Sequence, residues 1–180
     1  MILGHSELRK LIASDKLIEG LSKRDLENPE GCVFDLQIDK VFELKGKAFL
    51  GIDERETPET IELASYEPGK KSTFVFQPNK YYLVKTVEKI TLPENIAAVF
   101  RSRSTLFRCG LTLHTGIANP GFSGSLYFGL ANLGALPVKI ELGARIASVI
   151  FMQIKGKPVN TYRGQWQGGR DHTQGREKQI

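Results

Sequence analysis

Between Phe100 and Leu111 the chain sets Arg101, Arg103 and Arg108 among Ser102, Ser104 and Thr105. Forked guanidinium donors beside neutral hydroxyl donors suit phosphate oxygens, since arginine bonds such a group through two parallel N–H groups. If Ser104 opens a helical turn, its backbone N–H groups add to an anion site. The same residues equally make a basic surface segment between a strand and a helix, and residue types alone leave the two readings even.

A few residues on, Gly116-Ile117-Ala118-Asn119-Pro120-Gly121-Phe122-Ser123-Gly124 reads as a glycine-flanked hairpin. Backbone without a side chain can come close to a planar base. Its N–H and C=O groups could then read a pyrimidine edge while Phe122 packs on a sugar. Taken alone, the segment is equally an ordinary Gly/Pro turn. Other catalytic sets are missing: His5, His114 and His172 are scattered, and neither they nor Cys32 and Cys109 have zinc-ligand spacing. His114 lies near the hairpin, but a lone strand histidine is more often structural. No Walker-type glycine loop or nucleophile elbow occurs.

The elements that must hold these segments are mainly strands. Residues 4–19 carry apolar side chains at helical spacing (Leu8, Leu11, Ile12, Leu17, Ile18), with Ser6 as N-cap and Gly20 as the stop. Strands are expected from Cys32 to Leu44, Thr73 to Phe76, Tyr81 to Thr86 and Ile96 to Phe100. Residues 51–71, charged and holding Pro58 and Pro68, read as a surface excursion. After the Asn-Pro-Gly turn, Leu126, Phe128 and Leu130 alternate with Ser125, Tyr127 and Gly129, putting an apolar row on one face. Val138, Ile140 and Leu142 alternate again, and Ile146 to Ile154 is the near-continuous apolar run of a strand buried on both faces. Short strands between turns predict a sandwich or barrel in one domain, residues 1–154. Gly, Gln and charge dominate residues 155–180, which read as a tail.

The 180 residues carry a formal charge of +5, 41% hydrophobic and 25% charged residues, the balance of a soluble domain. From Lys155 onward six basic residues face Asp171 and Glu177, so the tail holds +4 of that charge. No apolar run approaches the roughly 20 residues of a membrane span. Two distant cysteines and an N-terminus without signal-peptide pattern give a reducing cytoplasm as the expected location.

Taken in order, Arg103-Ser104-Thr105-Leu106-x-Arg108-x-Gly110, Asn119-Pro120-Gly121-Phe122-x-Gly124 and Asn132 resemble the signature run of dCTP deaminases and dUTPases. So do Phe34-Asp35-Leu36 upstream, Leu136-Pro137-Val138, Gly143-x-Arg145-Ile146-Ala147, and Tyr162-x-Gly164-x-Trp166-Gln167-Gly168 in the tail. The opening Met-Ile-Leu and Leu8 match the deaminase-like branch, which includes archaeal-type dUTPases. The resemblance implies a mostly β, distorted barrel or jelly-roll-like subunit with a short N-terminal helix and a flexible C-terminal lid. It implies homotrimers with sites between subunits, a deoxypyrimidine nucleoside triphosphate as ligand, and Mg²⁺ held through its phosphates with no direct protein ligand. Carried over, Arg103, Ser104 and Thr105 contact phosphates and Arg108 organises the reacting base. Gly116, Asn119, Phe122 and Tyr127 hold the nucleoside, Tyr162, Trp166 and Gln167 form the lid, and Asp35 is structural.

Two positions depart from the pattern. The family's deaminases carry a proton-moving glutamate where this chain has Gly129, and its dUTPases carry a water-activating aspartate where this chain has Asn119. Loss of a general base costs about 10²- to 10⁴-fold in rate. Ser148 and Gly169 replace residues that are commonly glutamine. A small residue at 129, Arg101, and the stretch from Gly46 to Glu59 match archaeal-type dUTPases. The reading taken is therefore a dUTP diphosphatase with a non-standard site, Asn119 and Arg108 being its catalytic candidates. A dCTP deaminase forming dUTP, or a nucleotide-binding regulator without catalysis, are the alternatives. Nucleic acid is not the partner expected, because the basic tail interleaves only Tyr162 and Trp166 as aromatics.

Overall fold

Strand-forming alternation dominates the computed structural model, which describes residues 1–179. In chain order the elements are α1 (His5–Asp15), β1 (Ile18–Glu19), α2 (Lys23–Glu27), β2 (Phe34–Lys45), β3 (Phe49–Leu50), β4 (Glu54–Glu56), β5 (Glu59–Ser65), β6 (Thr73–Phe76) and β7 (Tyr81–Thr91). They continue with β8 (Ile96–Ser102), α3 (Ser104–Arg108), β9 (Leu111–His114), β10 (Ile117–Ala118), β11 (Ser123–Asn132), β12 (Val138–Glu141), β13 (Arg145–Gln153) and β14 (Glu177–Lys178).

Nine strands form one curled antiparallel sheet in the order β10-β8-β13-β2-β7-β11-β9, with β1 beside β7 and β5 beside β2. This is the barrel-like, mostly β fold that the sequence predicts. The long β2 serves two neighbourhoods: Phe34 to Gln37 pair with β13, and the rest pairs with β7 and β5. A register shift between Ile38 and Lys40 falls where it passes from one to the other, as a bulge bends a strand. Inside the curl lie Leu36, Ile38, Val84, Leu130, Ile146, Val149 and Phe151, all fully buried. Each such side chain contributes about 1.5–3 kcal/mol by leaving water.

Three local outcomes differ from the sequence reading. Helix α1 stops at Asp15, with Gly4 at its N-cap and Lys16 left-handed at φ 52°, its N–H on Leu11 O. Ser6 is therefore inside the helix. The apolar pair beyond it is claimed by the sheet, Ile18 facing Ile90 on β7, and that pairing outweighs continuation of the helix. A second short helix, α2, is capped by Ser22, whose Oγ accepts from Asp25 N at 3.2 Å. Residues 51–71 are not a bare excursion, for β5 pairs with β2 and β4 joins β3 and β14 in a small sheet.

From Tyr162 the chain returns across its own sheet. Tyr162 N donates to Pro120 O at 2.7 Å, and Thr57 and Thr173 exchange reciprocal 3.0 Å bonds from backbone N–H to side-chain hydroxyl. Cys32 and Cys109 are free. Among the described residues no helix is long and apolar enough to cross a membrane.

Candidate functional site

The hairpin between β10 and β11 is built by its turn. Phe122 N donates to Asn119 O at 3.1 Å across Pro120-Gly121, and Gly121 takes φ 82°, a conformation costly for other residues. Leu92 locks the hairpin to the end of β7 through bonds to Gly121 N and from its own N–H to Phe122 O. Phe122 is thereby buried, with Tyr162 meeting it edge-on at 5.6 Å between ring centroids.

The tail closes this hairpin from above. Gln167 accepts from Ser123 N at 3.1 Å and donates to Gly121 O at 2.9 Å, and Gly168 N donates to Ser123 O at 2.8 Å. Two glycines make the approach feasible. A Cβ on Gly124 would strike the backbone of Gly168 and Gly169, and one on Gly169 would strike that of Ser125. Between hairpin and tail lies a cavity of about 370 Å³, in the size range of small-molecule pockets.

Gly116, Asn119, Phe122, Tyr127, Tyr162 and Trp166 all line this cavity. The structure thus gathers residues from three separate sequence segments around one space. Gln167 stands outside the wall and fastens the tail to the hairpin. The wall is mainly apolar, with Leu44, Leu83 and Ile117 among its members. Its polar members include Asn119, Ser125, Tyr127, Arg170 and Asp171.

Asp171 is a member that the motifs did not single out, and its only signal was being one of two carboxylates in a basic tail. Burial pushes its pKa up, but the Thr60 hydroxyl, its own backbone N–H and His172 outweigh that and hold it below the ordinary value. His172 Nδ1 lies 3.2 Å from the carboxylate. Burial, with the negative charges of Asp171 and Asp39 nearby, pushes the Tyr127 phenol up to about 12. Tyr127 therefore remains a neutral donor at physiological pH. Further along the tail, Arg170 and the backbone N–H of Gln174 hold Glu177 down to about 2.

The arginine–serine segment sits elsewhere. Ser104 does open a helical turn, α3, while Arg103 precedes it in extended conformation. Ser104, Thr105 and Arg108 are exposed and do not line the cavity. Arg103 is ion-paired with the buried Asp35, on which Arg145 Nη1 at 2.8 Å and Ser148 Oγ at 2.8 Å also converge. Arg24 lies 3.6 Å away. Ser148 thus spends its hydroxyl on fixing the carboxylate that fixes Arg103. Within one chain, then, the phosphate-type donors and the nucleoside-type cavity are separate.

Glu88 is a buried acid that no motif singles out. It stands in the inward row of β7 with Tyr82, Val84, Thr86 and Ile90, where a charged residue interrupts the apolar alternation. Gln37 N donates to its Oε2 at 2.9 Å, and its Oε1 has no partner among the described residues. Burial, together with Asp25 and Asp35, raises its pKa to about 8.

Among the described residues no group of three or more His, Cys, Asp or Glu side chains could hold a metal ion. Asp35, the carboxylate paired with Arg103, is already committed to that arginine, Arg145 and Ser148.

Residues 2–154 match the dCTP deaminase-like family. The chain is 32% identical over 167 residues to the "Probable deoxyuridine 5'-triphosphate nucleotidohydrolase" of Methanopyrus kandleri, covering 92% of this chain and 99% of that protein. It is 31% identical over 166 residues to the "dCTP deaminase, dUMP-forming" of Kocuria rhizophila, covering 90% of this chain and 84% of the other. Among solved structures it is similar to the 2'-deoxycytidine 5'-triphosphate deaminase of Agrobacterium tumefaciens, at TM-score 0.64 and 17% identity. That match covers 83% of this chain and 48% of the Agrobacterium chain, so this chain spans about half the length of that protein.

Proposed function

The chain belongs to the dCTP deaminase-like family, and we propose that it hydrolyses the magnesium complex of dUTP to dUMP and pyrophosphate. The observation that carries the choice is Gly129. A deaminase of this type needs a carboxylate on β11 to move protons between water and the ring, and residue 129 has no side chain to supply one. Hydrolysis at a phosphate has no need of a group there. It needs the nucleotide held, the phosphates neutralised and a water oriented.

The cavity fits the nucleoside part of such a ligand. Phe122, Tyr162 and Trp166 offer aromatic surface to base and sugar, and Asn119 and Asp171 offer acceptors for water or a hydroxyl. Arg103, Ser104, Thr105 and Arg108 are the phosphate donors of the proposal. They lie outside the cavity of their own chain, and a neighbouring copy in a homotrimer supplies them. The magnesium ion enters with the triphosphate as part of the substrate, since the carboxylate nearest the phosphate donors is occupied by arginines.

A second reading, deamination of dCTP, is favoured by the identity of 31% to a protein called a dCTP deaminase, dUMP-forming. One experiment separates the two. The purified full chain is incubated with Mg²⁺ and either dUTP or dCTP, and the nucleotides, pyrophosphate and ammonia are resolved. Formation of dUMP and pyrophosphate from dUTP, with dCTP untouched, is the expected result. Ammonia released from dCTP would establish the second reading. Binding of both nucleotides without turnover would make the protein a nucleotide-binding regulator and reject the hydrolase.

A further inference from the structure

The space that a side chain at Gly129 would occupy is already filled. A Cβ built on Gly129 would overlap the Tyr81 hydroxyl and lie 2.6 Å from Tyr81 Cζ. Gly129 faces Leu83 on β7 and His114 on β9, and Tyr127 is two residues back on the same face of β11. Leu83 and Tyr127 are both walls of the cavity. Tyr81 and Gly129 do not themselves line the cavity, but two strand residues span roughly 7 Å, so their contact lies about that far along the same sheet face from the walls Tyr127 and Leu83.

Tyr81 is 47% exposed, and among the described residues its hydroxyl makes no hydrogen bond. Its ring is held from the side by His114, at 6.0 Å between centroids. A half-buried ring with a free hydroxyl, seated against a backbone that has no side chain, is placed rather than merely tolerated. Partial burial also raises its pKa, so the group remains a protonated donor at neutral pH. The nearest cation on the same face of β7, Lys85, is committed to Asp39 at 2.8 Å.

Resting on the nucleotide reading above, we infer that Tyr81 is the specificity-determining residue for the base, its phenol O–H donating to the 4-carbonyl of a pyrimidine that reaches from the cavity along this face of the sheet. A phenol is a better donor than acceptor. At position 4 it therefore favours the carbonyl of uracil over the exocyclic amine of cytosine, the 2-carbonyl being common to both. The same seating explains what a glutamate at 129 would meet: Tyr81 must leave before any longer side chain can enter.

The test is calorimetric binding of α,β-imido-dUTP and α,β-imido-dCTP to the full chain, its Tyr81→Phe, Tyr81→Ala and Gly129→Ala variants, and the Tyr81→Ala/Gly129→Ala double variant. Removing one hydrogen bond should weaken the uracil nucleotide about 5- to 10-fold in Tyr81→Phe, with less than about a twofold change for the cytosine nucleotide. Gly129 does not require a positive φ, so alanine there keeps the strand and displaces only the tyrosine. Gly129→Ala should reproduce the loss, and should add nothing once Tyr81 is already alanine. Wild-type protein binding the uracil nucleotide with Tyr81→Phe unchanged would overturn the inference alone, as would additive losses in the double variant. Wild-type protein that binds neither nucleotide would overturn the functional reading, and this inference with it.

Discussion

Asn119 and Glu88 show how two side chains of similar size carry opposite burdens. Asn119 is exposed on the hairpin, lines the cavity and makes no side-chain hydrogen bond among the described residues. A carboxylate there would meet no buried partner, so Asn119→Asp should fold normally. If hydrolysis runs on a weakened base, that substitution should raise kcat for dUTP about 10- to 100-fold with little change in KM, because a carboxylate takes a proton that an amide cannot. Steady-state kinetics decide it, and a slower variant would make Asn119 a positioning group in a different mechanism. Glu88 is the reverse, an acid kept neutral by burial. Its folded pKa of about 8 lies above the unfolded value near 4.5, so the native state holds a proton that the unfolded chain releases. The linkage therefore gives stability fully present below about pH 4.5 and lost as pH rises to about 8, on the order of 3–5 kcal/mol across that window. Glu88→Gln keeps an acceptor for Gln37 N and cannot ionise. Its Tm should fall less than the wild type's between pH 5 and pH 8; parallel Tm profiles would show that Glu88 titrates as an exposed carboxylate does.

At the scale of elements, the tail's path depends on close backbone contact more than on side chains. Gly169 has φ 74°, and a Cβ there would strike the backbone of Ser125, so Gly169→Ala should lift the tail from β11. Nucleotide affinity should fall about 10-fold or more, since the wall contributed by Trp166, Arg170 and Asp171 leaves with it. Truncation before Tyr162 should give a similar loss while near-UV circular dichroism of the remaining aromatics reports an intact sheet; unchanged affinity in both variants would reject the tail as part of the site. The strands that alternate cleanly, β11 and β12, were legible from sequence, as was the turn of helix at Ser104. What was not legible depended on partners distant in the chain. Tyr81 to Thr86 reads as a strand, but β7 runs on to Thr91 because β1 and β11 pair with its second half. Residues 59–65 look like charged loop until β2 offers an edge to pair with. The cavity residues were readable where a motif named them, whereas Leu44, Leu83, Thr57 and Asp171 enter through topology alone. Arg103 was readable as a phosphate donor, but its clamp by Asp35, Arg145 and Ser148 needed three strands brought together.

For the whole molecule the decisive fact is separation: the hairpin–tail cavity and the α3 donors do not share a pocket within one chain. The proposed function has one triphosphate bridge the cavity of one copy and the α3 donors of another, and a closed homotrimer is the arrangement proposed for it. Light scattering after size exclusion should then give three times the chain mass of 20.1 kDa. Mass alone does not show that sites are shared, but complementation does. A variant lacking α3 donors, Arg103→Ala/Arg108→Ala, and a variant lacking the tail wall, truncated before Tyr162, should each hydrolyse dUTP poorly. Mixed, unfolded and refolded together, they form trimers in which some sites draw the tail from the first variant and the arginines from the second. Random assortment makes about a quarter of the sites intact when the two inputs are equal and each site draws on two copies. Activity should recover toward that fraction of wild type, and only after subunits have been allowed to exchange. If tail and arginines of one site came from the same chain, no mixture could contain an intact site. Activity would then stay at the level of the separate variants, and the shared-site arrangement would be wrong whatever the oligomer's mass.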